Sequence, residues 1–476
     1  MIHRDLHEFI ATLERLEELH RVTAAVDPIL EIAAITDRVS KLPGGGKALL
    51  FERPKGTSIP VATNLFGSSR RMAAALGVAS LNDLTGMMAE LLVSTPTGSA
   101  GDALASLSAH ETFRRYAPEE VAKGRCQEMT EPPDLTRYPI LQSWPGDGAP
   151  HSTGRFMTLP LVFTHDPESG STNCGIYRIQ VLGADRAAIH WYPGRGGERH
   201  YRKAVKRGER LPVAVALGGP PVLPLAALFP LPDGVDEVAF AGVLAREALP
   251  MVRCRTSDLM VPAGAEIVIE GHLEPGETVR DGAFGNHTGF YIPGAKVPLL
   301  RVSHISRRAD CLYPATVVGR PPMEDCHLAA AAGRLMLPLL RRTVPELVDI
   351  AFPLEWIFHG GAIVSVTDAA AGRGEEVIRA LWATPFMAAA RVIVVVDGDT
   401  DVRDASRVAW RAMNTADWRR DLIVSERSGA VPFPWFGSRF GIDATRKAGR
   451  KGWPRELVPD DATRHLVDLR WEEYGF

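Results

Sequence analysis

The stretch TLPLVFTHDPESGSTNCGIYRIQVLG, residues 158–183, decides how the chain reads. Two β-like runs, 159–164 and 177–182, are rich in Leu, Val, Ile and Tyr. A polar segment with Asp166, Pro167, Gly170 and Asn173 separates them. Apolar runs bounded by turn formers predict strands. Further runs follow at 187–191, 213–217 and 266–270, each bounded by Gly, Pro or Asp. Several strands with few long helices between them predict a β-rich middle domain, a barrel, ending near residue 318.

Upstream, Leu6, Phe9, Ile10, Leu13, Leu16 and Leu19 recur mostly three residues apart and predict a helix with one apolar stripe. A second helix is expected over 30–42, stopped by Pro43 and the glycines that follow. The runs 48–51 and 61–62 read as short strands, which makes an α/β first domain ending near residue 120. The Pro- and Gly-rich stretch 131–153 reads as a linker or irregular loop. Downstream, an Ala- and Leu-rich helix is expected over 323–342, after Pro321 and Pro322. The β-branched runs 362–366 and 392–396 read as buried strands, with helices at 373–382 and 404–413. The polar tail from Arg446 carries Leu466, Leu469 and Trp471 and predicts a last amphipathic helix. The expected division is 1–120, 121–318 and 319–476, a multidomain α+β and α/β chain.

The balance of 54 Lys and Arg against 57 Asp and Glu gives a net charge of -3, so no chain-wide basic field points to nucleic acid. The five cysteines are scattered and none makes a CxxC pair, which argues against a disulfide framework or a zinc knuckle. The opening MIHRDLHEFIATLERL has early acids and no apolar core, so it does not read as a signal peptide. No apolar run is long enough to span a membrane. A cytoplasmic enzyme is the expectation.

GxxxxGK[ST], GxSxG, HExxH and GxGxxG are all absent. Three clusters remain. In STNCGIYRIQVLG, Asn173 reads as a loop residue ahead of a strand carrying Arg178. An Asn carbonyl suits Mg²⁺ or Mn²⁺, and a strand Arg holds a carboxylate or a ring edge. The same pair also reads as a turn Asn and a surface Arg. In IHWYPGRGGERHY, the aromatic residues before Arg195 and two glycines suit a phosphorylated cofactor, or a plain hairpin. In RDGAFGNHTGFY, Asp281 lies in a glycine-rich loop with Asn286 and His287 just beyond, a functional loop or a solvated turn. Glu237 in GVDEVAF reads as a ligand or as a charge at a helix N-terminus.

In this order, these segments resemble the UbiD family of decarboxylases, which use prenylated flavin mononucleotide. The likeness covers nearly the whole chain and includes DPILEIAAITDRVSK, LLFERPKG, NLFGSSRRMAAALG, PVAVALGGPPVLPLAALFPLP, EIVIEGHLEPGE and FGIDATRK. It implies an α/β N-terminal domain, a central split-barrel flavin domain, and a linking helix before an α/β C-terminal domain used in oligomerisation. It implies prenylated FMN bound with Mn²⁺ or Mg²⁺ and with K⁺, and a flavin prenyltransferase that supplies the cofactor. The substrate would be a small carboxylic acid and the assembly a homodimer or homohexamer. Asn173 and Glu237 match metal ligands. Ile176, Tyr177 and Arg178 match a strand along the flavin, and His190, Trp191, Tyr192, Arg195 and Gly196 match a second flavin-contacting stretch. Arg391 stands where relatives often place a Lys near the phosphate. Arg178 and Asp281 match two members of the family's Glu–Arg–Glu network.

The chain departs from the family at three places. Gly194 stands where relatives have a metal-binding His, which leaves water, His200 or Arg195 to compensate. Asp281 replaces the first catalytic Glu and is one methylene shorter. Asn286 replaces the acid that reprotonates the product, and an amide has no proton to give near neutral pH. His287 and His327 are the expected substitute donors, each with an ordinary structural role as the alternative. The leading expectation is a reversible, non-oxidative decarboxylase of an aromatic, heteroaromatic or α,β-unsaturated acid. The others are a flavin-binding or assembly protein without turnover and a related lyase.

Overall fold

The central frame grows from one long hairpin. Ile267–Arg280 and Lys296–Arg307 pair antiparallel. On one side the hairpin continues through Arg186–Ile189 and Ile179–Val181 to Phe156–Met157. On the other it continues through Leu211–Leu217 and Pro160–His165 to Thr172–Ile176. Met129–Glu131 pairs alongside Lys296–Arg307, and the nine-stranded sheet curls into the split half-barrel expected from the sequence. This is a computed structural model that describes residues 3–96, 98–150, 153–357, 360–368, 371–426, 437–447 and 456–475. The stretch 448–455 of the polar tail lies outside the described residues.

The strands read as continuous apolar runs because both faces of the sheet are covered. Val213, Val215 and Leu217 enter one core with Val162, Ile267 and Ile269, while Ala214 and Ala216 enter another with Leu161, Phe163 and Val268. Side chains alternate faces along a strand, so burial on both sides removes the polar half of the pattern.

The first sheet joins Leu19–Val26, Ala48–Pro54, Val61–Thr63 and Tyr313–Pro314. The linking helix Glu324–Leu340 is buried along almost its whole length. It leads into a sheet ordered Leu347–Ala351, Gly361–Val366, Val392–Asp397, Ser438–Asp443 and Leu422–Glu426, with helices Gly374–Trp382 and Ala405–Thr415. The tail helix Asp461–Leu469 buries none of its side chains. Among the described residues no helix is long and apolar enough to cross a membrane.

Three local expectations are corrected. The first helix is Leu6–Arg15, and Leu19 opens a strand instead of extending the apolar stripe. Glu17 has φ 59°, which breaks the helix between them. Asn173 lies inside the strand Thr172–Ile176 rather than in a loop, and Arg178 falls in the break before Ile179–Val181. The run at 266–270 is the start of a strand, Ile267–Arg280, whose outer half is largely exposed and so mostly polar. The irregular reading of 131–153 hides buried Ile140, Leu141, Ser143 and Asp147.

Candidate active site

Sheet register brings the first two site residues together. Ala187, Ala188 and Ile189 pair with Val181, Gln180 and Ile179, and the His190 N–H donates to the Arg178 carbonyl at 3.1 Å. Directly opposed residues of an antiparallel pair share a face, so the two side chains meet. Arg178 NH2 lies 3.0 Å from His190 Nδ1. Asp281 closes the cluster from the end of the long hairpin strand. Its Oδ2 is 2.8 Å from His190 Nδ1 and 3.4 Å from Arg178 NH2, and its Oδ1 accepts the Ala295 N–H at 2.5 Å. Only 1% of the Asp281 side chain is exposed. Burial alone would raise its pKa, but the His190 and Ala295 hydrogen bonds and the Arg178 charge hold it below the ordinary value. Phe284 lies under the guanidinium, 4.9 Å from ring centroid to Cζ.

The loop after Asp281 is fastened from two sides. Gln180 Oε1 accepts the Gly282 N–H at 2.7 Å, and Asp147 Oδ1 accepts the Gly285 N–H at 2.8 Å. The other oxygen of Asp147 accepts N–H groups from Trp144 and Ser143. Burial pushes Asp147 up to about 6 despite these three donors and Arg178 nearby. Asn286 Oδ1 takes the Thr288 N–H and hydroxyl, so the amide organises its own turn. His287 is pushed down to about 4 by burial, with Arg178 adding to the effect.

A second corner forms around Asn173. Glu237 is the first residue of the helix Glu237–Ala245, and its Oε2 accepts the Cys174 N–H at 3.0 Å. The ligand and helix-terminus readings of Glu237 are compatible, since one position serves both. Burial pushes its carboxyl up to about 7. Tyr177 stands edge-on to Trp191 at 4.6 Å, and its hydroxyl accepts the Gly197 N–H. The helix Gly196–Arg207 begins against this corner. A Cβ on Gly196 would lie 1.7 Å from Asn173 Oδ1, and one on Gly197 would lie 2.5 Å from the Trp191 ring. Gly194, Arg195 and Pro193 are exposed, Ile176 and Tyr192 are half-buried, and His190 packs edge-on to Tyr192.

Buried donors without acceptors mark both corners. Asn173 Nδ2, Arg178 Nε and NH1, Trp191 Nε1 and Asn286 Nδ2 have no hydrogen-bond partner. A buried orphan donor costs about 1–3 kcal/mol, so this many in one region fits an acceptor-rich ligand. Among the described residues, no three His, Cys, Asp or Glu side chains converge as a metal cluster. His200 does not stand in for the His missing at Gly194. Its Nδ1 is 2.9 Å from Thr164 Oγ1, and its Nε2 faces Asp166 at 3.9 Å.

One other sequence candidate, His327, lies apart. His327 sits on the linking helix beside Gly45 and Arg71, pushed down to about 4 by burial and then by Arg71. It lines a cleft of about 1640 Å³ between the first helices and the chain after the linking helix. That cleft is lined by none of Asn173, Arg178, His190, Glu237 or Asp281. Convergent polar groups are a sharper sign of chemistry than volume, so the site is assigned to the Arg178 cluster. Arg391 is built into the C-terminal sheet, its N–H donating to Gly360 and its carbonyl accepting from Phe440.

Three family models cover most of the chain. They describe the Rift-related, N-terminal and C-terminal domains of 3-octaprenyl-4-hydroxybenzoate carboxy-lyase, called UbiD, UbiD_N and UbiD_C, and match residues 119–321, 10–91 and 326–444. The chain belongs to the UbiD family. It is therefore an enzyme of the carboxy-lyase type. Uncharacterized proteins of Archaeoglobus fulgidus and Aquifex aeolicus are 41% and 40% identical, with 99% of each chain covered. The UbiD-class enzyme HmfF from Pelotomaculum thermopropionicum, solved with FMN, superposes with a TM-score of 0.82 at 28% identity, covering 98% of this chain and 99% of that one. Vanillic acid decarboxylase of Sedimentibacter hydroxybenzoicus, in closed form, gives a TM-score of 0.83 at 25% identity over 100% of both chains.

Sequence reading passed over Asp147, Gln180 and Phe284 in this UbiD site. A polar residue inside the apolar run 177–182 was an available signal for Gln180. Asp147, between two glycines, gave none beyond a turn.

Proposed function

We propose that this UbiD-family enzyme decarboxylates an aromatic, heteroaromatic or α,β-unsaturated carboxylic acid with prenylated FMN, and that the reaction is reversible. The observation that carries the reading is the set of buried donors at Asn173, Arg178, Trp191 and Asn286 that lack acceptors. A flavin with its phosphate, beside a substrate carboxylate, offers acceptors of that kind. HmfF in complex with FMN, and an evolved dimeric form of it with prFMN, support the same cofactor class. When bound, the flavin supplies the electron sink for the pair left by departing CO₂.

The residues fit the group. Ile176, Tyr177, Trp191 and Tyr192 would form its apolar and aromatic wall, with His190, Arg195, Gly196 and Glu237 completing the cofactor contacts. Arg391 belongs to the same proposal as a phosphate partner. Asn173 and Glu237 would hold Mn²⁺ or Mg²⁺ and so offset phosphate charge, with K⁺ as a second ion. A carboxylate that burial pushes up to about 7, with the Arg199 charge acting the other way, favours that assignment of Glu237. Arg178 would orient the substrate carboxylate, kept in place by ionised Asp281 and Phe284. Asn286 would donate its free N–H₂ to the substrate, and His287, held neutral by burial, would hydrogen-bond beside it. The division at residues 120 and 318, a homodimer or homohexamer, a flavin prenyltransferase supplier and a cytoplasmic setting belong to the same proposal.

Protein co-expressed with a flavin prenyltransferase should purify with a flavin-like absorbance band. It should release CO₂ from some member of an aromatic and acrylic acid panel, or exchange that acid's decarboxylation-site hydrogen for deuterium. Absorbance without either reaction would instead support the second reading, a cofactor-holding protein without turnover, which Gly194 and Asn286 favour.

A further inference from the structure

We propose that His190 and Asp281 form the proton-transfer pair of this site, with His190 Nε2 as the acid that replaces the one absent at Asn286. The inference rests on the decarboxylase reading and goes beyond it.

The geometry carries the argument. His190 Nδ1 lies 2.8 Å from Asp281 Oδ2, which can only accept, and 3.0 Å from Arg178 NH2, which can only donate; Arg178 NH2 also reaches Asp281 directly, so the shorter contact assigns the hydrogen to Nδ1. Fixing the proton on Nδ1 leaves Nε2 as the end that gains and loses one. The imidazole is 14% exposed while Asp281 is 1% exposed, so the ring is the more accessible member of the pair. Three other candidates are less suited. Asn286 has no acidic proton, and its oxygen is committed to Thr288. His287 is kept neutral by burial. His327 packs beside Arg71 on the linking helix. The charged and titratable groups around the pair are Arg178 from the facing strand break, Tyr192 from its own turn, and His287 and Asp147, which face Arg178.

The step balances simply. Loss of CO₂ leaves an electron pair on the substrate carbon. The Nε2–H of protonated His190 delivers one proton to that carbon, giving R–H and neutral imidazole. Solvent restores the proton through the exposed ring edge, so the sum is R–COO⁻ + H⁺ → R–H + CO₂. Asp281 remains ionised throughout. In reverse, neutral Nε2 takes the proton from the carbon.

His190→Asn is the discriminating variant, because its amide N–H replaces Nδ1–H toward Asp281 while nothing replaces Nε2. It is assayed at saturating cofactor, so that any change in cofactor affinity does not enter the comparison. Exchange of the product's hydrogen in D₂O should fall by about a hundredfold or more, the usual contribution of a positioned acid or base, with loss of one limb of the pH profile. Unchanged exchange and an unchanged profile would overturn the pair. His190→Gln tests the same point if the Asn variant folds poorly. An independent readout uses ¹⁵N-histidine NMR of the full-length protein. The His190 ring should carry its hydrogen on Nδ1, and Asp281→Asn should release that preference. Hydrogen on Nε2 with Nδ1 bare would refute the inference even if the enzyme decarboxylates. Wild-type holoenzyme inert toward every acid would refute the function instead, and the NMR result would then decide the pair alone.

Discussion

Replacing Gly196 with alanine should separate the fold from the cofactor site. The added Cβ would lie 1.7 Å from Asn173 Oδ1, 2.6 Å from its Cγ and 3.2 Å from its Cβ. Real Cβ atoms essentially never approach a neighbour within 3.0 Å, so the amide oxygen must retreat by at least 3.0 − 1.7 = 1.3 Å. Asn173 is buried within a strand, so the retreat has to come from side-chain rotation rather than from the backbone. Gly196 is the first residue of its helix and its φ is not positive, so alanine suits the backbone there and gains up to about 1 kcal/mol of helix propensity, against about 1–3 kcal/mol for displacing the buried Asn173 side chain. The protein should therefore still fold, with a melting temperature lowered by a few degrees at most. Displacing a ligand by more than an ångström should weaken cofactor and metal binding by about 10–100-fold, the range seen when a metal ligand loses its orientation. Titration with FMN and Mn²⁺, followed by flavin fluorescence, measures the loss. Gly86→Ala, on a helix with nothing within 4 Å, is the control. Equal affinity in Gly196→Ala and wild type, with both folded, would refute the placement of Asn173 at the cofactor.

Asp147→Ala should strand the Gly285 N–H and loosen the loop behind Asp281, at about 1–3 kcal/mol for each orphaned donor. Because burial raises the Asp147 pKa from 3.8 to about 6, the ionised form is disfavoured in the folded state, and this group's contribution falls as pH rises through that window. Urea melts should thus show the gap between wild type and Asp147→Ala narrowing by up to about 3 kcal/mol from pH 4 to pH 7. A gap that widens would contradict the assignment. All five cysteines are buried, and burial pushes Cys126 up to about 12 and Cys311 to about 11. Ellman's reagent should label less than one thiol per native chain within an hour and all five in guanidinium, whereas rapid native labelling would count against these burials. Arg71→Ala should destabilise the protein by about 3–5 kcal/mol, because the fully buried guanidinium binds Glu18 and the carbonyls of Gly45 and Gly46. A loss below 1 kcal/mol in thermal or denaturant melts would show the network to be dispensable.

Where the sequence was legible, the reason is burial. The runs 213–217 and 392–396 are covered on both faces and kept unbroken apolar composition, so they could be read as strands directly. The outer half of Ile267–Arg280 and the exposed strand Leu19–Val26 lie at the surface, where polar residues replace the signal and pairing partners far away in sequence define the strand. Arg178, Asp281 and Glu237 could be singled out by type and by resemblance to a family pattern. His190 could be named the same way, as a flavin contact, but its pairing with Asp281 could not, because the two meet only through the pairing of two strands and the return of a hairpin strand 91 residues later. Asp147 reaches Gly285 across 138 residues for the same reason.

The distribution of unsatisfied groups adds a physical argument about this site. Single buried polar atoms without a partner occur elsewhere in the fold as well, Arg71 Nε, Glu266 Oε1 and Arg308 NH2 among them, although Arg308 also meets Asp5 and Asp310, and Glu270 takes the N–H groups of Arg255 and Thr256. Around Asn173, Arg178, Trp191 and Asn286 the protein leaves donors unanswered although the surrounding strands are rigidly paired and could have carried apolar side chains at no hydrogen-bonding cost. Apolar replacements would stabilise the empty fold, so the energy forgone there is recovered only when an acceptor-rich ligand arrives. Replacing both members of the buried pair, Arg178→Met with Asp281→Leu, should accordingly leave the ligand-free protein about as stable as wild type while erasing the stabilisation that FMN confers, whereas Arg178→Met alone strands Asp281 and should cost about 3–5 kcal/mol. A large loss of stability in the double variant without ligand would mean that the pair serves the fold, and the polar cluster would then need another explanation.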